Sequence, residues 1–433
     1  MRRPTRFPRR RATAVTLALA LGVPAGLATD APARADDLVR TGRIYVHGNE
    51  RVKTTIILRE IPLAKGDPFD YGKLQEGRRN VARVPGVDYS EIRVVYLPDD
   101  SSLGLNVIVT EKRTLEGNLW LERGYENEIS IGGSTTEYNL RGRSERLAVS
   151  FLAIRNIVLG ADWENPWVWG GWKVGLGARV YYITYDYPYD DFDNAFAGMS
   201  VWRLGGEVEA FHPAGKRSRV YVKAGYEAAG GDEGVTLDPG GDAFVTMGIG
   251  ARWDGRDSER FAWSGGYLLA EMRAVGPFQE GLGIVEAELD ARAFVAPFSR
   301  LVLAAQARAV VRDGDAIPIY RREHVGGGLT LRGYDYGAFD GDNALHGGAE
   351  LRVPLNFSRE RPLEDILLGL EVHAFADFGA AWNGPEPLEG ERLRGGYGVG
   401  AAILNRQVRG LRFDYGWPRD GDGRFHFEIG LKF

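Results

Sequence analysis

The chain has 433 residues with no cysteine and carries a formal net charge of −5 at pH 7. The missing cysteines exclude disulfide bonds and thiolate chemistry, and so small a charge argues against nucleic acid as a partner. Beyond the N-terminal segment no apolar run is long enough for a membrane helix, but 10 Trp and 19 Tyr are typical of the interfacial girdles of a membrane β-barrel.

The N-terminus has the pattern of an export signal. Six arginines within residues 2–11 are followed by an apolar stretch over residues 14–28 and by the cleavage pattern Ala33-Arg34-Ala35. These features predict a signal peptide over residues 1–35. Glycines and a proline interrupt the apolar stretch, which is therefore too short for a retained membrane helix. The arginine cluster leaves the twin-arginine route as an alternative, but a barrel crosses the inner membrane unfolded, so we expect ordinary secretion.

Residues 42–112 predict one small α+β domain, because about 70 residues suffice for an independent module. Its pattern switches from strand to helix and back to alternating strands, which gives the order βααββ. The predicted elements are a strand over residues 44–49, helices over 52–60 and about 70–83, and strands over 92–97 and 103–110. An unrelated small α+β module with the same order remains the alternative.

Residues 113–433 predict an antiparallel transmembrane β-barrel, since about 320 residues accommodate about sixteen strands with their turns. In residues 283–295 the apolar side chains share one parity, whereas Glu286, Glu288, Asp290 and Arg292 occupy the other. Successive strand side chains point to opposite faces, so one face meets lipid and the other lines a wet lumen. The dry core of a soluble β-sandwich would not accept these charges.

A glycine-rich loop over residues 319–341 contains the segment Leu331-Arg332-Gly333-Tyr334 and is too long for a tight hairpin. Downstream, residues 370–382 place apolar side chains on one parity and Asp377 on the other, so Asp377 is predicted to point into the lumen. A carboxylate there requires a cation, and Arg332 is the candidate. By itself, however, the pattern favours an exposed loop with a solvated arginine.

The C-terminal strand alternates an apolar and a polar face and ends on an aromatic residue. The apolar side chains are Phe425, Phe427, Ile429, Leu431 and Phe433. A half-buried edge strand of a soluble protein is the alternative interpretation. Together with the export signal, the pattern resembles the signal by which bacterial outer-membrane barrels are recognised for assembly.

Three segments together resemble the BamA/TamA superfamily of outer-membrane assembly factors. Leu331-Arg332-Gly333-Tyr334 is similar to the tip of that superfamily's inward-folded sixth loop, and Phe375-x-Asp377-x-Gly379 to its F-x-D-x-G strand motif. Glu350 stands where the superfamily places a further acid near the loop arginine. Residues 42–112, with the start Val46-x-Gly48-Asn49, resemble its periplasmic POTRA domain. The resemblance favours a loop folded into the lumen, with Arg332 bound to Asp377 and Glu350 nearby.

No catalytic or cofactor site is predicted. We find no spacing suited to a Ser-His-acid set and no lipase nucleophile elbow. The glycine run over residues 395–400 lacks the lysine of a nucleotide-binding loop, and Asp340-Gly341-Asp342-Asn343 lacks the spaced acids of a calcium loop, so it reads as an acidic turn. We therefore expect no enzymatic activity, no metal and no cofactor.

The resemblance implies an assembly factor of the bacterial outer membrane that inserts client β-barrels without ATP. The POTRA domain would lie in the periplasm, and clients would pair with its sheet edge and with the seam between the first and last barrel strands. The expected partners are the outer-membrane lipid bilayer, unfolded client outer-membrane proteins, and accessory lipoproteins or periplasmic factors. Alternatives are a two-partner-secretion-like pore for polypeptide or lipid, and a plain porin. One POTRA unit fits before the barrel, whereas BamA-type proteins carry more. Accessory work, or assembly with fewer partners, is therefore favoured over a full copy of the major assembly machine.

Overall fold

A computed structural model describes most of the chain after residue 38. The described residues are 39–99, 101–123, 129–153, 156–169, 172–186, 198–215, 217–259, 261–278, 283–314, 316–363, 366–384, 388, 390–405 and 410–429. The predicted signal peptide, residues 1–35, lies outside them, as do Leu431 and Phe433 of the C-terminal pattern. Within the described residues, no helix is long and apolar enough to cross a membrane.

The N-terminal unit has the predicted βααββ order. Its elements are β1 (Arg40–His47), α1 (Thr54–Arg59), α2 (Tyr71–Val81), β2 (Val87–Leu97) and β3 (Ser102–Glu111). The central strand β3 runs parallel to β1 and antiparallel to β2. The Asp70 side chain accepts a hydrogen bond from the backbone N–H of Lys73 at 3.1 Å and so caps α2. Leu74 and Val81 of that helix are fully buried against the sheet.

The predicted boundaries of two strands were too narrow. Strand β2 begins at Val87 and not at residue 92, because Val87 is buried and already pairs with Glu111 of β3. Strand β1 begins at Arg40, where Thr41 donates a backbone hydrogen bond of 2.8 Å to Asp67. Polar residues at both strand ends hide these pairings from a hydropathy pattern.

After the N-terminal unit, the described residues form one antiparallel sheet of sixteen strands, which confirms the predicted barrel class. The strands are β4 (Leu115–Arg123), β5 (Ile129–Leu140), β6 (Glu145–Ala153), β7 (Ile157–Trp169), β8 (Val174–Asp186), β9 (Ser200–Pro213), β10 (Arg219–Gly231), β11 (Asp242–Asp254), β12 (Gly265–Val275), β13 (Ile284–Phe298), β14 (Leu301–Gly314), β17 (Asn343–Pro354), β18 (Leu368–Trp382), β19 (Arg394–Asn405), β20 (Leu411–Pro418) and β21 (Arg424–Ile429). Two short strands, β15 (Glu323–Val325) and β16 (Phe339–Gly341), form a hairpin within the connection between β14 and β17.

The strands have one apolar and one charged face, as predicted. On β13, Val285 and Leu289 are about half exposed on the outer face, where a lipid bilayer would cover them. Facing inward, Glu288 accepts a hydrogen bond of 2.8 Å from Arg308 of β14, and Asp290 binds Arg292. Water and ion pairs in a lumen can satisfy these inward-facing charges. The same alternation directs the side chains of the site described below into the lumen.

A seam separates the first and last strands of the barrel. The hydrogen-bonded order of the sheet runs from β21 to β4, and these two end strands lie next to each other. Strand β21 pairs with β20 from Leu411–Ile429 to Gly416–Arg424. Among the described residues, no backbone pairing joins β21 to β4. As far as the described residues extend, the two end strands of the sheet therefore meet by contact and not through a hydrogen-bond ladder.

The N-terminal unit is docked on a barrel turn at the end of the cylinder where the chain enters β4. The backbone N–H of Lys53 donates a hydrogen bond of 2.9 Å to the carbonyl oxygen of Gly142, in the turn between β5 and β6. Gly142 has a φ of +73°, and any Cβ there would overlap the carbonyl oxygen of Arg51. The guanidinium of Arg59 lies 5.0 Å from the ring centroid of Trp167 on β7.

Candidate functional site

The connection between β14 and β17, residues 316–342, folds back against the inner wall and is called the lumen loop. Val325 and Leu331 are fully buried against Ala344 of β17, and Tyr334 and Phe339 pack at the edge of this cluster. The loop lies at the opposite end of the strands from the docked N-terminal unit, because the chain crosses the sheet an odd number of times before it. Leu331 of the predicted motif anchors the loop through the apolar surface that it buries in this cluster.

Arg332 is completely buried and binds Asp377 of β18 with both arms of its guanidinium. Nε donates to Oδ2 at 2.7 Å, Nη2 donates to Oδ1 at 2.8 Å, and the backbone N–H of Arg332 adds a third bond of 3.2 Å to Oδ2. The guanidinium carbon stands 3.4 Å from the ring centroid of Phe375. A two-armed pair stacked on an aromatic face fixes both the position and the orientation of the arginine.

The same arginine reaches two further carboxylates. Its Nη1 donates to Oε1 of Glu350 on β17 at 2.7 Å and to Oδ2 of Asp414 on β20 at 3.1 Å. Glu350 is the acid that the family resemblance placed near the loop arginine. Two more buried arginines bind these carboxylates, so that three arginines face three acids. Arg352 donates to Glu350 at 2.8 Å. Arg412 donates to Asp414 at 2.8 Å and also to Glu350. Each carboxylate in this network contacts at least one arginine, which offsets the cost of burial.

Sequence reasoning missed Arg352, Arg412 and Asp414 as members of the network. The signal was present for Arg412 and Asp414, which occupy the inward parity of a strand whose apolar residues face out. The hydropathy pattern does not show the strand register, which places β20 beside the loop tip. His373, a buried residue of β18, also joins the network and binds Oδ1 of Asp414 through Nε2 at 2.7 Å.

Glycines of the wall provide the space for the loop tip. Gly333 has a φ of +95°, and a Cβ there would stand 2.8 Å from the backbone nitrogen of Pro418. Facing it, a Cβ at Gly416 would lie 2.6 Å from the Gly333 nitrogen, and one at Gly396 would overlap the carbonyl oxygen of Arg332. Gly379 of the strand motif serves the same purpose, because its Cβ would stand 2.7 Å from Val325. The wall glycines Gly379, Gly396 and Gly416 therefore leave the space that the loop occupies.

Comparison with known proteins identifies the family. A model described as the Omp85 superfamily domain matches residues 139–433, and one described as a surface antigen variable number repeat, the POTRA domain, matches residues 39–112. The chain belongs to the Omp85 superfamily. The predicted BamA/TamA-type relationship, with a POTRA domain before the barrel, is therefore confirmed.

Curated relatives and solved structures agree with this assignment. The chain is 25% identical over 416 residues to the outer membrane protein assembly factor BamA of Nitratidesulfovibrio vulgaris. The matched region covers 91% of this chain and 51% of that protein. BamA of Neisseria meningitidis serogroup B is 21% identical over 91% of this chain and 57% of its own length. The chain thus spans about half the length of these relatives.

Two solved structures show the fold. BamA from Haemophilus ducreyi lacking POTRA domains 1–3 superposes with a TM-score of 0.70 at 14% identity, over 90% of this chain and 83% of that chain. CdiB from Acinetobacter baumannii superposes with a TM-score of 0.61 at 14% identity, over 90% and 73% respectively.

In this Omp85 chain the lumen loop is also fixed to the opposite wall. Arg321 donates a hydrogen bond of 2.5 Å to Glu227 of β10, which Arg203 of β9 binds at 2.7 Å. Tyr320 is buried beside Phe244 of β11. The loop thereby joins two walls of the barrel, and sequence patterning gave no indication of this second attachment.

Between these two attachments, the β15–β16 hairpin binds the β14 wall. Glu323 receives hydrogen bonds from Arg312 at 2.7 Å and from Arg308 at 3.0 Å. Although burial by itself raises the pKa of the Glu323 carboxyl, the two arginines lower that pKa below its ordinary value. Asp340 accepts a bond of 3.0 Å from Arg322. The predicted acidic turn over residues 340–343 is wrong, because Asp340 and Gly341 pair with β15 as part of strand β16 and Asn343 begins β17.

The remaining predicted residues lie at the edges of the site. The Tyr334 hydroxyl donates to the carbonyl oxygen of Gly395 at 3.1 Å. Phe425 faces outward and is more than half exposed, and Phe427 packs on Phe413 of β20 with ring centroids 5.1 Å apart. Ile429 ends β21 opposite Leu411. Leu431 and Phe433 fall outside the described residues. In the described part of the chain no cluster of three or more histidine or acidic side chains is arranged to hold a metal ion.

Proposed function

We propose that this protein assists the folding and insertion of client β-barrel proteins into the outer membrane of a bacterium, without ATP. The observation that carries the proposal is the seam between β4 and β21 beside a loop held rigidly by Arg332. The relatives named as outer membrane protein assembly factors support it. The barrel would lie in the outer membrane and the POTRA domain in the periplasm.

The seam gives the proposal its physical basis. In lipid a client strand must satisfy every backbone hydrogen bond, and an unsatisfied group costs several kcal/mol. The facing edges of β4 and β21 lack a mutual ladder among the described residues, so they can pair with client strands that are not yet closed into a barrel. By offering the edges of β4 and β21 to a client strand, the barrel lowers the free-energy barrier to client insertion without ATP.

The POTRA domain offers a second strand edge on the periplasmic side. Strand β2 is an outer strand of the three-stranded sheet, and its side chains Tyr89, Val95 and Tyr96 are exposed. An extended client segment can add to such an edge through backbone hydrogen bonds. Accessory lipoproteins or periplasmic factors are further proposed partners at this domain. The proposal includes no enzymatic step, cofactor or metal.

The second candidate is a pore that passes a polypeptide or lipid through the lumen. The fold similarity to CdiB favours it. Against it stands the lumen loop, which joins Asp377 on one wall to Glu227 on the other and so crosses the route that a substrate would take. A plain porin would need neither that loop nor the POTRA domain.

The test is the folding of a client barrel into liposomes that contain this protein, against empty liposomes. We expect faster client folding with the parent chain and with Arg300→Ala, an exposed arginine at the turn after β13. Arg332→Ala should lose the acceleration. Equal client folding in empty and protein-containing liposomes, together with ion conductance by the parent, would instead support the pore.

A further inference from the structure

Strand β21 is one of the two end strands of the described sheet. It comprises six residues, Arg424–Ile429, and its ladder to β20 is the one backbone pairing that it makes within the described residues. Each interior strand of the barrel pairs on both sides. Contacts other than sheet hydrogen bonds therefore carry more weight for the position of β21 than for that of an interior strand.

The lumen loop supplies contacts to this strand along its inward face. The backbone N–H of Gly333 donates a hydrogen bond of 3.0 Å to Nε2 of His426, which is buried. Arg424 donates to Oδ1 of Asp335 at 2.7 Å and to the carbonyl oxygen of Gly333 at 3.3 Å. Gly328 lies directly against the Glu428 side chain. Three consecutive inward side chains of β21 thus meet the loop.

The loop tip that touches β21 is itself immobilised. Arg332, the residue before Gly333, is bonded to carboxylates on β17, β18 and β20. Gly333 also packs so closely on the β20 backbone at Pro418 that only glycine can occupy the position. The N–H group that donates to His426 therefore belongs to a fixed part of the molecule. The bond connects the seam strand β21 to β17, β18 and β20 through the loop tip.

We propose that the lumen loop latches the seam, with the Gly333–His426 hydrogen bond as the latch and His426 as a positioning residue that keeps β21 closed. The proposal rests on the proposed function, in which the seam opens for a client strand. Opening requires β21 to move away from the loop, so this bond must break each time. The charge network around Arg332 remains intact when it does, which allows the seam to close again in the same register.

The Gly333–His426 hydrogen bond contributes more to holding β21 in place than the Arg424–Asp335 ion pair of the same strand does. Arg424 and Asp335 are both substantially exposed, so their pair is screened by solvent and adds little. The His426 bond is buried, and losing a buried bond of this kind changes a two-state population by about two- to tenfold. Neutral His426 accepts at Nε2 when its proton is on Nδ1, whereas Gln offers an acceptor oxygen at a similar reach.

The experiment measures the width of the seam directly. Because the chain has no cysteine, Leu119→Cys on β4 and Phe425→Cys on β21 place two spin labels on exposed outward positions. In lipid nanodiscs, the parent should show a narrow distance distribution between the labels. His426→Ala should raise the population of a longer-distance component about two- to tenfold, and His426→Gln should restore the narrow distribution.

One control and one second variant separate the latch from general loosening. His212→Ala removes an exposed histidine from β9, on a distant strand, and should leave the distribution unchanged. Arg424→Met removes the exposed partner of Asp335 and should produce a smaller shift in the same direction as His426→Ala; it serves as the main test if His426→Ala does not fold. Distributions of the folded His426 and Arg424 variants that match the parent would overturn the latch. This readout needs no client, so failure of client folding would reject the proposed function independently.

Discussion

Removal of the Arg332 side chain should destabilise the barrel strongly. The guanidinium makes two bonds to Asp377 and one each to Glu350 and Asp414, and all four side chains are buried. In Arg332→Ala, Glu350 retains Arg352 and Arg412, and Asp414 retains Arg412. The principal cost is thus at Asp377, whose buried carboxylate loses both guanidinium hydrogen bonds, and breaking such a buried pair corresponds to about 3–5 kcal/mol of unfolding free energy.

The assay is urea unfolding in lipid vesicles, followed by the fluorescence of the 10 tryptophans. Arg332→Lys should lie between the parent and Arg332→Ala, because an ammonium keeps the charge but not the two-armed geometry. Asp377→Asn combined with Arg332→Ala should be less destabilised than the sum of the single variants, by about 0.5–3 kcal/mol, since the two side chains contact each other directly and the double variant removes both charges of the pair.

Arg300→Ala is the matched control, because it removes an exposed arginine from a barrel turn. It should change the unfolding free energy by less than about 0.5 kcal/mol. If Arg332→Ala fell within the same range as that control, the buried network would not be holding the loop, and the assignment of Arg332 as its anchor would be wrong.

Three further predictions concern other parts of the structure. Gly396→Ala should cost about 1–3 kcal/mol of unfolding free energy because its Cβ overlaps Arg332, whereas Gly390→Ala, with open space around it, should be neutral in the same urea titration. Glu227→Gln should weaken the second loop attachment and raise single-channel conductance in planar bilayers relative to the parent; unchanged conductance would argue against a loop that blocks the lumen. Gly142→Ala should loosen the docked POTRA domain and speed protease cleavage of the short segment before β4, while Gly234→Ala, which also has a positive φ but open surroundings, should not.

The class of fold and one half of the site could be predicted from the sequence. Strict alternation distinguishes the outward from the inward face of a strand, and this pattern alone assigns Asp377 and Arg412 to the lumen side. The resemblance of the loop motif then selected Arg332 as the partner of Asp377. Both steps depend on local patterns, which a single chain displays directly.

The remainder of the site depends on register, which a single sequence does not display. The contact between Arg332 and Asp414 joins residues 82 positions apart and exists because β19 and β20 pair in one particular alignment. The bond between Arg321 and Glu227 crosses the barrel and spans 94 positions. Period-two patterning gives the face of a strand but not which residue stands opposite it, so these partners could not be derived.

Crosslinking of a client at the seam tests the central claim most directly. A single cysteine at Phe425→Cys on the seam strand, and a matched one at Val222→Cys on the outer face of β10, would be exposed to a stalled client barrel that carries a cysteine in its last strand. We predict disulfide formation with the client at position 425 and not at position 222. Equal crosslinking at both positions would contradict assembly at the seam.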